Sequence, residues 1–246
     1  AARTAALESI TAYLASTREE VLHALIKNPS LDETHVCLLL ERKDLSGSLL
    51  EEIAKRKAWR GSYCVRLALA AHPHTPRLVA MRMLRDLHLM DLVRISLLLT
   101  STVELRRLAE ERVLAQLPQL PLGQKLQLAR RGSSRIAGGL IAQGPVQVVR
   151  AALDNAFLTE SHLLKTLAKE SLPAGAFTAV ARHGKWSNLV NIRVALLRHP
   201  HAPADCVAAF VADLPRREIE ELLGHTQVSK NVHAHLRREL ARRENE

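Results

Sequence analysis

The sequence predicts an all-α protein: a right-handed α-solenoid of about five three-helix repeats, each of ~42–44 residues. Three observations carry that expectation. First, Leu (44) and Ala (34) dominate a chain of 246 residues that holds only seven Phe, Tyr and Trp. Ala and Leu are the best helix formers, whereas strands draw on β-branched and aromatic side chains. Second, a long stretch of the chain repeats itself without gaps. Third, the helical segments end at recurring proline junctions.

The internal repeat is read by laying residues 21–76 over 148–203, an offset of 127, where 17 of 56 positions are identical. The matches include Leu31/Leu158, His35/His162, Leu45/Leu172, Arg66/Arg193 and the His-Pro-His at 72–74 and 199–201. The only two tryptophans, Trp59 and Trp186, fall on each other. A shorter period lies inside each copy. Residues 21–29 resemble 65–73, so copies start at Val21, Val65, Val148 and Ile192, with spacings of 44, 83 and 44. The middle gap holds two periods, which places a degenerate copy at 105–109.

The expected elements follow in order. A capping helix occupies 4–20, and repeats begin near 21, 65, 105, 148 and 192 and end near 64, 104, 147, 191 and 227. A C-terminal helix at 228–243 closes a single domain over 1–246. The first helix of a repeat is rich in small apolar residues and stops at His-Pro or Asn-Pro, because proline cannot continue it. The second restarts at a cap: Thr75 at the N-cap with Pro76 at the first helical position, and Asp32 and Thr159 in parallel. Its apolar positions, such as Val79, Met83 and Leu87, recur at helical spacing. The third helix follows Asp44-Leu45, Met90-Asp91, Leu172-Pro173 or Leu214-Pro215. In the third repeat Pro118 and Pro121, then Gly132-Ser133-Ser134, separate the helices, and Gly144-Pro145 ends the unit. One such unit cannot bury its apolar face alone, so neighbours share a core, with Leu69 and Leu196 at those interfaces.

The period, the three-helix units and the Val-x-x-Ala-Leu-x-x-His-Pro-x-x-Pro junctions resemble the HEAT and armadillo class of α-helical repeats. The junction is also similar to bacterial leucine-rich-repeat variant modules. Those modules have a shorter period, and their iron–sulfur cysteine cluster has no counterpart here. The resemblance implies a curved, non-enzymatic binding surface.

Charge is uneven along the chain. Residues 1–50 sum to −2, residues 51–200 to +13 and residues 201–246 to −1. The basic middle reads either as a solvated face or as a groove for an anionic partner. A membrane surface is the weaker alternative, since no helix pairs a basic face with a bulky aromatic one. No apolar run approaches the ~18 residues needed to span a bilayer, and no apolar core follows a basic start at the N-terminus. Cys37, Cys64 and Cys206 are odd in number and distant in sequence, so no disulfide framework or zinc knuckle is expected and a reducing cytoplasm is the simplest setting.

The candidate partner-binding residues are Arg56, Trp59, Arg66, Arg107, Arg131, Arg150, Trp186 and Arg193. Trp59 and Trp186 sit in matching linkers beside basic residues. Each reads as a stacking platform or as a wedge whose N–H bonds a loop carbonyl. Arg66 and Arg193 read as a column facing a partner or as structural bonds to helix-end carbonyls. The cluster Arg130-Arg131-Gly132-Ser133-Ser134-Arg135 reads as a phosphate cradle or as a capped turn. His72, His74, His199 and His201 cannot converge on one metal in an extended solenoid and are expected as helix stops. No catalytic motif, metal site or cofactor site is expected, and an enzyme such as a HEAT-like DNA glycosylase would need an aromatic-rich groove that this sequence lacks. The leading expectation is a cytoplasmic, non-catalytic scaffold for an acidic protein or peptide segment. A nucleic-acid-binding solenoid is the alternative.

Overall fold

The structure, a computed structural model, describes residues 2, 7–169, 172–199, 202, 204–225 and 228–245. Among them are seventeen α-helices and no strand, so the all-α expectation is met. The chain divides into two compact units, Ala1–Val113 and Leu114–Glu246.

The first unit holds α1 (Leu7–Leu14), α2 (Glu19–Leu25), α3 (Glu33–Glu41), α4 (Gly47–Lys55), α5 (Tyr63–Ala71), α6 (Arg77–Met83), α7 (Leu89–Leu97) and most of α8 (Val103–Gln116). The second holds α9 (Leu122–Arg131), α10 (Ser134–Gln143), α11 (Val146–Leu153), α12 (Glu160–Leu167) and α13 (Ala174–Ala181). It continues with α14 (Val190–Arg198), α15 (Ala204–Ala212), α16 (Arg216–Gly224) and α17 (Lys230–Glu244).

The offset of 127 relates the first residue of every helix from α1 to α8 to that of its counterpart among α10 to α17, from Leu7 and Ser134 through to Val103 and Lys230. The correspondence therefore runs well past the stretch where sequence identity is legible. Burial follows the same offset where the residues have diverged: Ile10/Ala137, Leu50/Phe177, Leu84/Val211, Leu92/Ile219 and Ala109/Leu236 are all buried. The pairs keep apolar character and position, which is what a packed interior demands, and let volume vary.

Within each unit, helices two apart in sequence pack on each other. In the first unit α1, α3, α5 and α7 form one row and α2 packs on α4. In the second, α10, α12, α14 and α16 form one row and α9, α11 and α13 another, while α15 packs on α17. The row α1, α3, α5, α7 begins at Leu7, Glu33, Tyr63 and Leu89, so its successive steps are 26, 30 and 26. These are shorter than the period of ~42–44 read from the junctions. The spacing of 44 joins the start of α2 to that of α5, which lie in different rows. Helices of both rows stop at the same kind of proline junction, so the junction motif recurs every third helix while packing recurs every second. A single apolar cluster runs through α1 to α5 of the first unit, with Leu25, Ile26, Val36, Leu39, Leu50 and Leu69 nearly inaccessible.

Local chemistry explains the breaks. Asp32 accepts from the His35 N–H at 2.9 Å and Thr159 from the His162 N–H at 3.4 Å, both as expected of N-caps. Thr75 is not a cap: Pro76 takes that position, and the buried Thr75 hydroxyl makes no hydrogen bond. The expected helix at 4–20 is interrupted. Residues 3–6 lie outside the described part, and α1 and α2 are separated by a turn in which Ser16 Oγ accepts from the Arg18 N–H at 3.2 Å. Two acidic residues, Glu19 and Glu20, then open α2, where they suit the positive helix end. The C-terminal helix begins at Lys230, capped by Ser229.

Candidate functional site

The first unit carries an open cleft of about 450 Å³. It forms where the last turn of α4, the 3-10 turn Lys57–Trp59, α5, the end of α6 and the 3-10 turn Leu84–Asp86 meet. Buried Ile53, Trp59, Val65 and Leu69, with half-buried Met83, make its apolar floor. Lys55, Arg60, Arg82 and Asp86 are exposed around it, and Arg66 is half-buried. Its size lies in the ~300–1,000 Å³ range of small-ligand pockets.

Four cations and one carboxylate line that space. Lys55 Nζ pairs with Glu51 at 2.8 Å, outside the cleft lining. Arg66 Nη2 donates to the Arg60 carbonyl at 3.2 Å, which anchors one edge of its guanidinium. Among the described residues, no carboxylate lies within ion-pair distance of Arg60, Arg66 or Arg82. Arg56 stands beside the cleft with its guanidinium carbon 5.7 Å from the Trp59 ring centroid, a cation–π arrangement. Like charges gathered over an apolar floor leave the cleft with a positive field that a bound anion would relieve.

At the equivalent place in the second unit the arginine is engaged by a carboxylate and an aromatic ring. Arg193 stands where Arg66 does and donates through Nε to the Ser187 carbonyl at 2.6 Å. Its Nη1 pairs with Asp213 at 2.9 Å, and its guanidinium carbon lies 5.6 Å from the Phe210 ring centroid. Arg182, the counterpart of Lys55, is taken up by Asp205 at 2.7 Å. Trp186 donates its indole N–H to the Leu153 carbonyl at 2.8 Å, at the end of α11, and Lys185 Nζ sits 4.1 Å from its ring centroid.

Of the residues singled out in the sequence, Trp59 and Arg66 line the cleft with Arg56 beside it, and Trp186 and Arg193 form the counterpart in the second unit. Arg107 on α8, Arg131 at the end of α9 and Arg150 on α11 are exposed and make none of these contacts. Sequence reasoning missed Arg82 and Asp86. The signal for Asp86 was the 127 offset itself, carried past residue 76: Asp86 falls on Asp213 and Met83 on Phe210, whereas Arg82 falls on Ala209.

The other clusters have structural uses. His72 Nε2 bonds the Arg42 carbonyl at 2.6 Å, and His74 Nδ1 bonds the Leu45 carbonyl at 3.1 Å. His199 stacks on Phe177 at 4.0 Å between ring centroids, while His201 lies outside the described residues. At the arginine-rich turn, Ser133 caps α10 by accepting from the Ile136 N–H, and Asn155 Nδ2 donates to the Gly132 carbonyl at 3.0 Å. A Cβ on Gly132 would stand 2.7 Å from the Leu128 carbonyl oxygen, so this close turn requires glycine.

The cysteines depart from the expectation of unpaired thiols. Cys37 on α3 and Cys64 on α5 are joined as a disulfide, 27 residues apart, because the row packing of α3 on α5 brings them together. Glu33 is close enough to complete a three-ligand set with the two sulfurs, but those sulfurs are bonded to each other. Cys206 is free, and burial holds its thiol above the ordinary value. Among the described residues no helix is long and apolar enough to cross a membrane.

Compared with known proteins, the chain matches no family model, no curated protein and no solved structure.

Proposed function

We propose that this chain is a non-catalytic interaction module that binds an acidic protein or peptide segment at the basic cleft of its first unit. The observation that supports the reading best is the set of three guanidinium groups, Arg60, Arg66 and Arg82, around an apolar floor: they outnumber the one lining carboxylate, Asp86, and among the described residues none of them is in an ion pair. Its helices stacked in rows suit a right-handed α-solenoid similar to the HEAT and armadillo class, in which surface side chains of successive helices align as a binding strip. Arg107 would belong to such a strip in the first unit, and Arg131 and Arg150 to one in the second.

Charge reversal tests this. Arg60→Glu and Arg82→Glu together should abolish binding of a fluorescein-labelled glutamate-rich peptide in an anisotropy titration, with the helical circular dichroism unchanged. Both side chains are exposed, so folding should be little affected. A single-stranded oligonucleotide that binds the parent far more tightly than the peptide, with a steep salt slope, would assign the cleft to nucleic acid instead.

A further inference from the structure

We infer that the segment taken by the first unit's cleft presents a carboxylate beside an aromatic ring, and that the second unit carries a built-in copy of that ligand in Asp213 and Phe210. The inference rests on the reading of the cleft just given, and it names the chemistry of the ligand. Arg66 and Arg193 are equivalent under the offset of 127, and both are anchored by the carbonyl six positions earlier, Arg60 and Ser187 respectively. The same backbone group anchors both, through Nη2 in Arg66 and through Nε in Arg193. The remaining donors also go to different places.

In the second unit they go to Asp213, with the Phe210 ring against the guanidinium. Phe210 is only 8% exposed. In the first unit Met83 replaces the ring. Asp86 keeps the position of Asp213 but forms no ion pair with Arg66, and the space stands open at about 450 Å³. Two further replacements add charge to the open copy: Arg60 for Ser187 and Arg82 for Ala209. The open cleft thus lacks a ring and an engaged carboxylate, and it has gained cations at its mouth. A ligand that brings an aromatic side chain to the apolar floor and a carboxylate to Arg66 restores the arrangement found in the second unit. Arg60 and Arg82 then favour further acidic groups on either side of it.

The test uses two labelled eight-residue peptides, one of glutamate and glycine and one with a glycine replaced by phenylalanine, titrated by anisotropy at ~0.1 M salt. The phenylalanine peptide should bind the parent about tenfold more tightly or better, the effect of one well-buried ring. Met83→Phe, which copies the second unit, should erase that preference while the helical signal remains. Independently of any variant, the Trp59 indole N–H resonance should shift on adding the phenylalanine peptide and the Trp186 resonance should stay in place. Equal binding of the two peptides, or a shift at Trp186 and none at Trp59, overturns the inference and leaves the acidic-segment reading standing. No binding of either peptide overturns both.

Discussion

Asn28 and Asn155, equivalent under the offset of 127, each make the same kind of pair of hydrogen bonds to equivalent backbone groups. Asn28 Nδ2 donates to the Ala2 carbonyl at 3.1 Å and its Oδ1 accepts from the Ser30 N–H at 2.9 Å. Asn155 Nδ2 donates to the Ala129 carbonyl at 2.7 Å and its Oδ1 accepts from the Phe157 N–H at 2.7 Å. Both amides are buried, so each ties a helix end to an earlier part of the chain where water cannot substitute. Asn155→Ala should cost about 1–3 kcal/mol, because it strands buried carbonyls. Urea denaturation of the variant measures this directly.

His72 makes the same arrangement with an imidazole. Its Nδ1 accepts from the His74 N–H at 3.2 Å while Nε2 donates to the Arg42 carbonyl. That pattern requires the neutral ring, and burial, the largest influence, pushes its pKa below the ordinary 6.5. Below pH 6.5 the unfolded chain takes up a proton that the folded chain resists. Stability from this site is therefore complete above 6.5 and falls with pH down to the folded pKa. His72→Asn should flatten the difference between urea midpoints at pH 7.5 and pH 5. An unchanged difference would place the acid sensitivity elsewhere.

Glu239 governs a lower range. Hydrogen bonds from Arg242 and Arg243 draw its carboxyl from 4.5 down to about 2. Arg243 also donates to the Leu214 and Ala212 carbonyls at 2.8 and 2.6 Å, which fastens α17 to the end of α15. The depressed pKa means the stabilisation is present above 4.5 and is lost as pH falls through about 2. Glu239→Gln should remove that part of the acid transition, which hydrogen exchange within α17 at pH 2–4 would report.

The disulfide predicts a redox effect on stability. Linking residues 27 apart restricts the unfolded chain by about 3–4 kcal/mol in the chain-entropy account. Cys64→Ser should lower the denaturation midpoint of the oxidised protein and make it insensitive to added dithiothreitol.

Leu69 and Leu196 are almost fully buried, at 1% and 0% exposure. Truncation to alanine should cost about 2–5 kcal/mol in either unit. A loss under about 1 kcal/mol at Leu69, below the usual range for such a truncation, would mean that the neighbouring cleft collapses to fill the void. The peptide-binding assay would then show it closed.

Helix content and the duplication were legible in the sequence alone. Ala and Leu set the first, and the fixed register of Trp59 with Trp186, Arg66 with Arg193 and Asn28 with Asn155 set the second. The caps at Asp32 and Thr159 were equally legible, since capping depends on residues three apart. Packing decided the rest. The junction spacing could not reveal that α2 and α5 lie in different rows, because a helix stop is local and a row is a relation between distant helices. Cys37 and Cys64 looked unrelated until α3 packed on α5. The cleft depended on the same kind of relation: Arg66 and Arg193 are the same residue at the same position, yet the second is neutralised and the first is not. That difference lies in Met83 against Phe210 and in whether the facing aspartate is engaged, which only the packed side chains determine.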